Sequence, residues 1–183
     1  MRPKGFLTLA RVVRTDGRPF STQDAVDSGL VRPVGHSPHE WGIERHEIPL
    51  GWNNFTDSGR QALAYAFGFR RPIVNFVCTQ FGIGTGTTPA AVTDTSLESP
   101  LTFYDSNSDT VADSQLKPVG KASFPSPFIV DFEIPIASTE ANGHLITEFG
   151  LFSGNGTFLA RYVGLGYQKT NDLAPTFIYR IRL

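Results

Sequence analysis

The sequence has little charge, and the charges it has nearly cancel. Charged residues make up 18% of the 183-residue chain, against about a quarter in a typical soluble domain, which favours a protein whose surface largely meets other proteins. Sixteen basic and seventeen acidic residues give a net charge of −1. This balance provides no basic field for nucleic acid, so we expect no nucleic-acid partner.

Cysteine and long apolar runs are also scarce. The single Cys78 excludes an intramolecular disulfide, and its apolar surroundings predict a buried side chain rather than a nucleophile. No apolar run approaches the ~20 residues that a membrane-spanning helix needs, and the first residues show no signal-peptide pattern. We therefore expect a soluble protein that is made in the cytoplasm and has no membrane partner.

Glycine, proline and phenylalanine are abundant and predict a mainly β fold. Eighteen Gly, thirteen Pro and fifteen Phe are typical of short strands joined by turns. Residues 128–136 and 176–183 alternate apolar and polar side chains, as half-buried strands do, and residues 73–81 form an apolar strand. Only residues 53–68 have the caps and the apolar spacing of a helix, with Thr56 or Ser58 as the N-cap. We predict an antiparallel, jelly-roll-like β-sandwich with one short α-helix.

Residues 1–52 differ from the rest and are predicted to form an extended N-terminal arm, followed by a β-sandwich domain at residues 53–183. A short strand is expected at residues 6–13, but Gly and Pro interrupt any period from residue 21 to residue 51. Two tryptophans and several β-branched residues distinguish this segment from a disordered one. We expect Trp41 and Trp52 to be assembly contacts that become covered by another subunit.

Residues 144–163 predict a β-hairpin with a turn at Gly154-Asn155-Gly156. Asn-Gly between apolar arms favours a two-residue type I′ turn. Both faces of the arms carry apolar side chains, which indicates a hairpin that is covered on both sides. Phe149, Leu151 and Phe158 are expected on the face that packs into the core.

Glu148 and Arg161 are the only charged residues in the arms of this hairpin. The turn allows two registers, and the two residues share a face in both. In one register they lie directly opposite each other. In the other they are diagonal, and Gly150 faces Arg161. Because the same face carries apolar side chains, we predict a shielded structural pair that fixes the register. Phe152 lies on that face too and is a third expected assembly contact.

No group of side chains in the sequence points to catalysis or to a cofactor. The histidines of the arm are interrupted by Pro38, which breaks the helical spacing of a common metal motif, and the glycine-rich stretch 82–86 lacks the lysine of a phosphate loop. His144 and the pair Asp131 and Glu133 are predicted to be surface residues. We therefore predict no enzyme, no catalytic residue, no cofactor and no metal.

Three stretches occur in an order that resembles a known family. They are NNFTDSGRQALAYAF, FGIGTGTTPAAVTDTSLESPL and ITEFGLFSGNGTFLAR, with Lys169-Thr170 downstream. The family pattern that they resemble runs from an N-G-R helix start, through a G-x-G loop with a later D-x-x-L, to a R/T-E-[FIL]-G-L-F hairpin that ends in L-[IL]-A. Over residues 53–183 the chain resembles the N-terminal domain of tailed-phage tail-collar or tail-fibre proteins.

The resemblance implies a non-enzymatic structural protein of a tailed-phage virion. It would be made in the host cytoplasm and would dock at the tail or baseplate as an attachment or adaptor module. Its partners would be other virion proteins and further copies of itself. Two alternatives stay open: a capsid decoration (cement) protein, and a carbohydrate-binding module that stacks sugars on Tyr104, Tyr167 or Trp41.

Overall fold

The computed structural model describes residues 4–14, 53–67, 77–108, 110–127 and 129–182. These ranges contain one helix and nine strands, which form one antiparallel sheet. The elements are β1 Lys4–Arg14, β2 Asn53–Phe55, α1 Asp57–Phe67, β3 Cys78–Gly84, β4 Leu116–Pro118, β5 Ala122–Ser126, β6 Ile129–Pro135, β7 Leu145–Ser153, β8 Phe158–Gln168 and β9 Leu173–Arg182. The predicted fold class is confirmed: the protein is mainly β, with one short helix.

The sheet folds over on itself and encloses the core as a sandwich. Its strand order is β4-β3-β7-β8-β2-β1-β9-β6-β5, so four strand spacings of about 4.8 Å each separate β7 from β9 along the sheet. Nevertheless, the rings of Phe149 on β7 and Phe177 on β9 are only 4.9 Å apart. Tyr167 on β8 also meets Phe177, edge to face, at 5.4 Å. The two halves of the sheet therefore face each other across these aromatic side chains.

A single segment, residues 116–126, joins the two ends of the sheet. Its first part, β4, pairs with β3, and its second part, β5, pairs with β6. The hydrogen bonds change partner within two residues: the N–H of Val119 donates to Thr79 O at 3.0 Å, and the N–H of Gly120 donates to Glu133 O at 2.9 Å. The segment thus turns the corner of the sandwich from one layer to the other.

The first strand belongs to the sandwich and not to a separate arm. β1 lies between β2 and β9 and pairs with β9 from Lys4, opposite Arg182, to Arg14, opposite Leu173. The strand expected at residues 6–13 is present and longer. The predicted boundary at residue 52 is corrected for residues 4–14, because strand pairing makes them part of the domain. The rest of the predicted arm, including Trp41 and Trp52, lies outside the described residues.

The helix begins later than predicted because its first residues pair as a strand. Asn54 and Phe55 of β2 lie opposite Arg161 and Ala160 of β8. Thr56, one of the two predicted caps, accepts a hydrogen bond from the N–H of Gly59 at 3.1 Å, which satisfies an amide of the first turn. A Cβ at Gly59 would lie 2.4 Å from Leu159 O, so the helix start packs directly on the β8 backbone.

The third strand also differs from its prediction. Residues 77–81 were expected to complete a strand and residues 82–86 to form a loop, whereas β3 continues to Gly84. Gly82 lies opposite Gly150, and Gly84 opposite Glu148. The glycines reflect close packing, of Gly82 against Leu97 and Gln115 and of Gly84 against Glu148, rather than an end of the strand. Residues 73–76 of the predicted strand lie outside the described residues.

The predicted hairpin is formed by β7 and β8, but its turn is not type I′. The N–H of Ser153 donates to Thr157 O, and the N–H of Gly156 to Ser153 O, both at 2.9 Å, so the loop has three residues. Within it only Gly156 has a positive φ, of 81°, as in a type I turn followed by one left-handed residue. Gly150 faces Arg161, which is the diagonal of the two predicted registers.

A register shift between Leu151 and Phe152 decides which face of the hairpin Phe158 joins. Phe149 and Leu151 are buried in the core as predicted. Phe158 was expected beside them, but it lies opposite Phe152 with the rings 4.8 Å apart. A Cβ on Gly150 would meet Phe158, Leu97 and Phe152 at 2.7, 3.0 and 3.1 Å, so this glycine makes room for a small apolar cluster on the outer face.

Candidate functional site

The structure brings Glu148 and Arg161 together on the outer face of the hairpin. Oε2 of Glu148 lies 3.0 Å from Nε and 2.8 Å from Nη2 of Arg161. Glu148 has no exposed surface, and Arg161 is 3% exposed. Glu148 and Arg161 lie on neighbouring strands in diagonal positions, not directly opposite each other. Side chains in diagonal positions can still reach each other. The pair is therefore an ion pair shielded from water.

Arg161 also binds two carboxylates from the 85–99 loop, which covers this face. Its Nη1 donates to Asp94 Oδ2 at 2.9 Å, and Nη2 donates to Glu98 Oε2 at 3.3 Å. The planar guanidinium presents several donors in fixed directions, which suits it to hold several carboxylates at once. One arginine thus fastens a strand and two points of a loop.

The carboxylate of Glu148 lies in a cluster of backbone N–H groups from the same loop. Oε1 accepts hydrogen bonds from Ser99 at 2.7 Å and Gly86 at 3.2 Å, and Oε2 accepts one from Glu98 at 3.1 Å. Converging backbone amides form a binding site for an anion. A Cβ at Gly84 would lie 2.3 Å from Oε1, so only glycine leaves space for the carboxylate. We call Asp94, Glu98, Glu148, Arg161 and these amides the charge network.

The electrostatics of the charge network favour the charged forms of Arg161 and Glu98. Burial alone would lower the pKa of Arg161, but hydrogen bonds to Asp94 and Glu148 outweigh burial and raise that pKa above its ordinary value. Hydrogen bonds from Thr88, together with the charge of Arg161, lower the pKa of Glu98. The donors around Glu98 bind its charged form. The network is thus suited to fasten the loop.

The three expected assembly contacts have different outcomes. Trp41 and Trp52 lie outside the described residues. Phe152 is half-buried and packs against Phe158. Its ring is therefore partly covered within the chain itself, and its role as an assembly contact stays a prediction.

Other residues considered for chemistry are tied into the fold. Burial raises the pKa of Cys78 to about 12, which keeps its thiol protonated and unreactive. Asp131, expected on the wet face, is buried and forms a two-point ion pair with Arg180 at 2.8 and 2.9 Å. Tyr167, a candidate for sugar stacking, is 3% exposed and cannot present its ring to a ligand. The ring of Tyr104 is contacted by Lys117, whose Nζ is 5.4 Å from the ring centre.

Sequence reasoning missed Asp94 and Glu98 of the charge network, and also a second polar cluster around Lys169. Asp94 was visible as the first residue of the D-x-x-L motif, but its partner is 67 positions away in the sequence. Lys169 has no exposed surface, although lysine is among the residues least often buried. Nothing in the local sequence marks it as buried, because it follows the exposed Gln168 at the end of a strand.

Comparisons with known proteins identify no relative: no family model, no curated protein and no solved structure matches the chain. Within the described part of the chain, no group of three or more His, Cys, Asp or Glu side chains is placed to hold a metal ion. No helix in that part is both long and apolar enough to cross a membrane.

Proposed function

We propose that this protein is a non-enzymatic structural component of a tailed-phage virion. It docks at the tail or baseplate as an attachment or adaptor module and assembles there with other virion proteins and with further copies of itself. The proposal rests on the resemblance to tail-collar and tail-fibre N-terminal domains. Its main support is the convergence of the residues that carry that resemblance.

The motifs of the resemblance are far apart in the sequence but meet in space. The G-x-G stretch supplies Gly84 and Gly86 beside the Glu148 carboxylate. The D-x-x-L motif supplies Asp94, bound to Arg161, and the buried Leu97. Chance matches at such separations would not be expected to share one buried site. Their contacts with one another favour a shared architecture over coincidental similarity.

The chemistry of the described residues also suits a structural role. The charge network engages its carboxylates with one arginine and with backbone amides, so its charges stabilise the fold instead of facing a substrate. The hairpin is buried on both faces. A low overall charge agrees with a surface that packs against other proteins. These features support an assembly module over an enzyme.

Counting copies per particle tests the proposal. Quantitative mass spectrometry of purified particles of the phage that encodes the chain should find it in tens of copies or fewer, in multiples of three, six or twelve. An antibody against the chain should label the tail end in electron micrographs. Hundreds of copies, with label over the head, would instead indicate a capsid decoration protein. Absence of the chain from purified particles would overturn the virion proposal altogether.

A further inference from the structure

Lys169 is a buried lysine whose contacts are all neutral oxygens. It follows β8 and has no exposed surface. Its Nζ donates to Thr170 O at 2.6 Å, to Asn142 Oδ1 at 2.8 Å and to Ser138 O at 3.1 Å. Within the described ranges no carboxylate forms an ion pair with it. A buried ammonium without a paired charge is unfavourable, so the neutral amine is easier to reach here than in an exposed lysine.

We propose that Lys169 forms an intramolecular isopeptide bond with the side-chain amide of Asn142. This bond would join the end of β8 to the 137–143 turn that precedes β7. The proposal does not depend on the virion assignment. It concerns a covalent modification within the chain, and it assigns Lys169 as the nucleophile and Asn142 as the acyl group.

The geometry holds the two reacting side chains in contact. The amide carbon of Asn142 is bonded to Oδ1 at about 1.2 Å, so it lies no more than about 4 Å from the amine. The backbones are also locked together: the N–H of Gly143 donates to Lys169 O at 2.9 Å, and the N–H of Lys169 donates to His144 O at 3.0 Å. Two groups held in this way react as if at very high concentration.

The amine is also activated as a nucleophile. Burial lowers the pKa of Lys169 to about 8, although the negative charges of Glu140 and Asp172 act in the opposite direction. A desolvated lysine of this kind carries a useful fraction of neutral amine near neutral pH. The geometry and the environment thus favour the same reaction.

The reaction needs no co-reactant. The lone pair of Nζ attacks Cγ of Asn142, an Nζ–Cγ bond forms, and the Cγ–Nδ2 bond breaks. The proton that the amine loses passes to Nδ2, which leaves as ammonia. Asn142 is exposed, so ammonia has a direct path to solvent.

A competing loss of ammonia is disfavoured by the same contacts. Asn142 precedes Gly143, and the backbone nitrogen of the glycine could attack the same amide carbon to give a succinimide. That nitrogen already donates its hydrogen to Lys169 O. The lysine amine is therefore the better-placed nucleophile.

Mass spectrometry of the purified full-length chain tests the proposal. After incubation at mildly alkaline pH, the denatured protein should be lighter than its sequence by one molecule of ammonia in most molecules. Tryptic digestion should yield a branched peptide that links the segments containing Asn142 and Lys169, with no cleavage after Lys169. An intact mass equal to the sequence mass, with a linear peptide ending at Lys169, would overturn the proposal even if every variant failed to fold.

Substitutions separate the isopeptide from the succinimide. Lys169→Arg keeps the positive charge but removes the nucleophile, and Asn142→Ala removes the amide; both should retain the full sequence mass. Lys117→Arg is the matched control, because Lys117 also lies beside Glu140, with Nζ 2.7 Å from Oε2, but it contacts no side-chain amide. It should still lose ammonia. A loss of ammonia that persists in Lys169→Arg would identify a succinimide and overturn the isopeptide.

Discussion

At the scale of single residues, the charge network balances three carboxylates against one arginine. Asp94, Glu98 and Glu148 all contact Arg161, which leaves an excess of negative charge. The backbone amides of the 85–99 loop compensate for the excess at Glu148, because their N–H dipoles point toward its oxygens. Arg161 therefore pairs with three negative charges, whereas Glu148 pairs with one positive charge and three backbone amides.

We expect Glu148→Gln and Arg161→Met each to lower the free energy of unfolding by about 3–5 kcal/mol, with the arginine change at the upper end. Removal of one member of a buried pair leaves the other charge uncompensated. The double variant should lose less than the sum of the two single changes, because it leaves no unpaired member of this pair. Urea titration of the four proteins measures the cycle.

The exposed pair of Arg60 and Asp57 on the helix provides the control. Arg60→Met should change the free energy of unfolding by less than about 1 kcal/mol, because exposed ion pairs contribute little. If the Glu148 and Arg161 changes were as small as this and additive, the pair would be accessible to water and would not fix the register.

Gly84→Ala should destabilise the protein by about 1–3 kcal/mol or more, as overpacking of a close contact does. The new methyl group would occupy space 2.3 Å from Glu148 Oε1 and 2.5 Å from Ser99 O, so it would push the carboxylate out of its amides. Gly154→Ala is the matched control, since its nearest neighbour is a side-chain oxygen of Thr79 at 3.3 Å. Equal midpoints of thermal unfolding for the two variants would contradict this account.

At the scale of elements, the hairpin of β7 and β8 is the part of the fold that the sequence predicts best. Its arms, and the burial of both faces, follow from apolar residues on either side of Gly154-Asn155-Gly156. The sequence does not reveal the three-residue loop or the register shift at Phe152. The loop length and the register shift depend on backbone geometry that the Asn-Gly pair does not specify. Together they place Phe158 on the outer face instead of the predicted core face.

Phe149→Ala and Leu151→Ala should each lower the free energy of unfolding by about 2–5 kcal/mol through lost burial and the cavity that remains. Both side chains are almost completely buried. Leu145→Ala, on the same strand but 49% exposed, should lose less than about 1 kcal/mol. Chemical denaturation of the three variants gives the comparison. A loss below about 1 kcal/mol for Phe149→Ala or Leu151→Ala would put this face of the hairpin outside the core.

The helix and β3 show why element boundaries are harder to predict than elements. Asn54 and Phe55 look like part of a helix start, but their pairing with β8 holds them extended, since tertiary contacts override local propensity. From the sequence, the glycines after Phe81 predict a loop, because glycine in the interior of a strand weakens the strand. Here Glu148 and Leu97 occupy the space beside them, and a partner more than sixty positions away cannot be inferred from local sequence.

At the scale of the whole molecule, β1 completes the sheet, because it connects β2 with β9. The composition of residues 1–52 predicts an arm, because no regular spacing of apolar residues continues after the first strand. β1 pairs with a strand at the other end of the sequence. Such a distant partner leaves no pattern in the local sequence from which the pairing could be predicted. This is the largest difference between the predicted and the observed organisation.

Deletion of residues 1–14 should therefore abolish cooperative unfolding rather than leave a stable domain. Without β1, the sheet loses the strand that joins its two halves, and β9 exposes an unpaired edge. Circular dichroism during a urea titration distinguishes the outcomes. Phe124→Ser, at a side chain 77% exposed on β5, serves as the control and should unfold normally. A truncated protein with an unchanged midpoint would show that β1 is dispensable.

The position of β9 has a consequence for how the protein is made. β9 is the last described strand in the chain, yet it pairs with both β1 and β6. The ribosome must therefore release residue 182 before the sandwich can close, and until then β1 has no partner on that side. Translation at about 5–20 residues per second leaves β1 without this partner for roughly 10–35 seconds in each nascent chain. We expect this protein to depend on chaperones during synthesis more than a domain whose strands pair in sequence order.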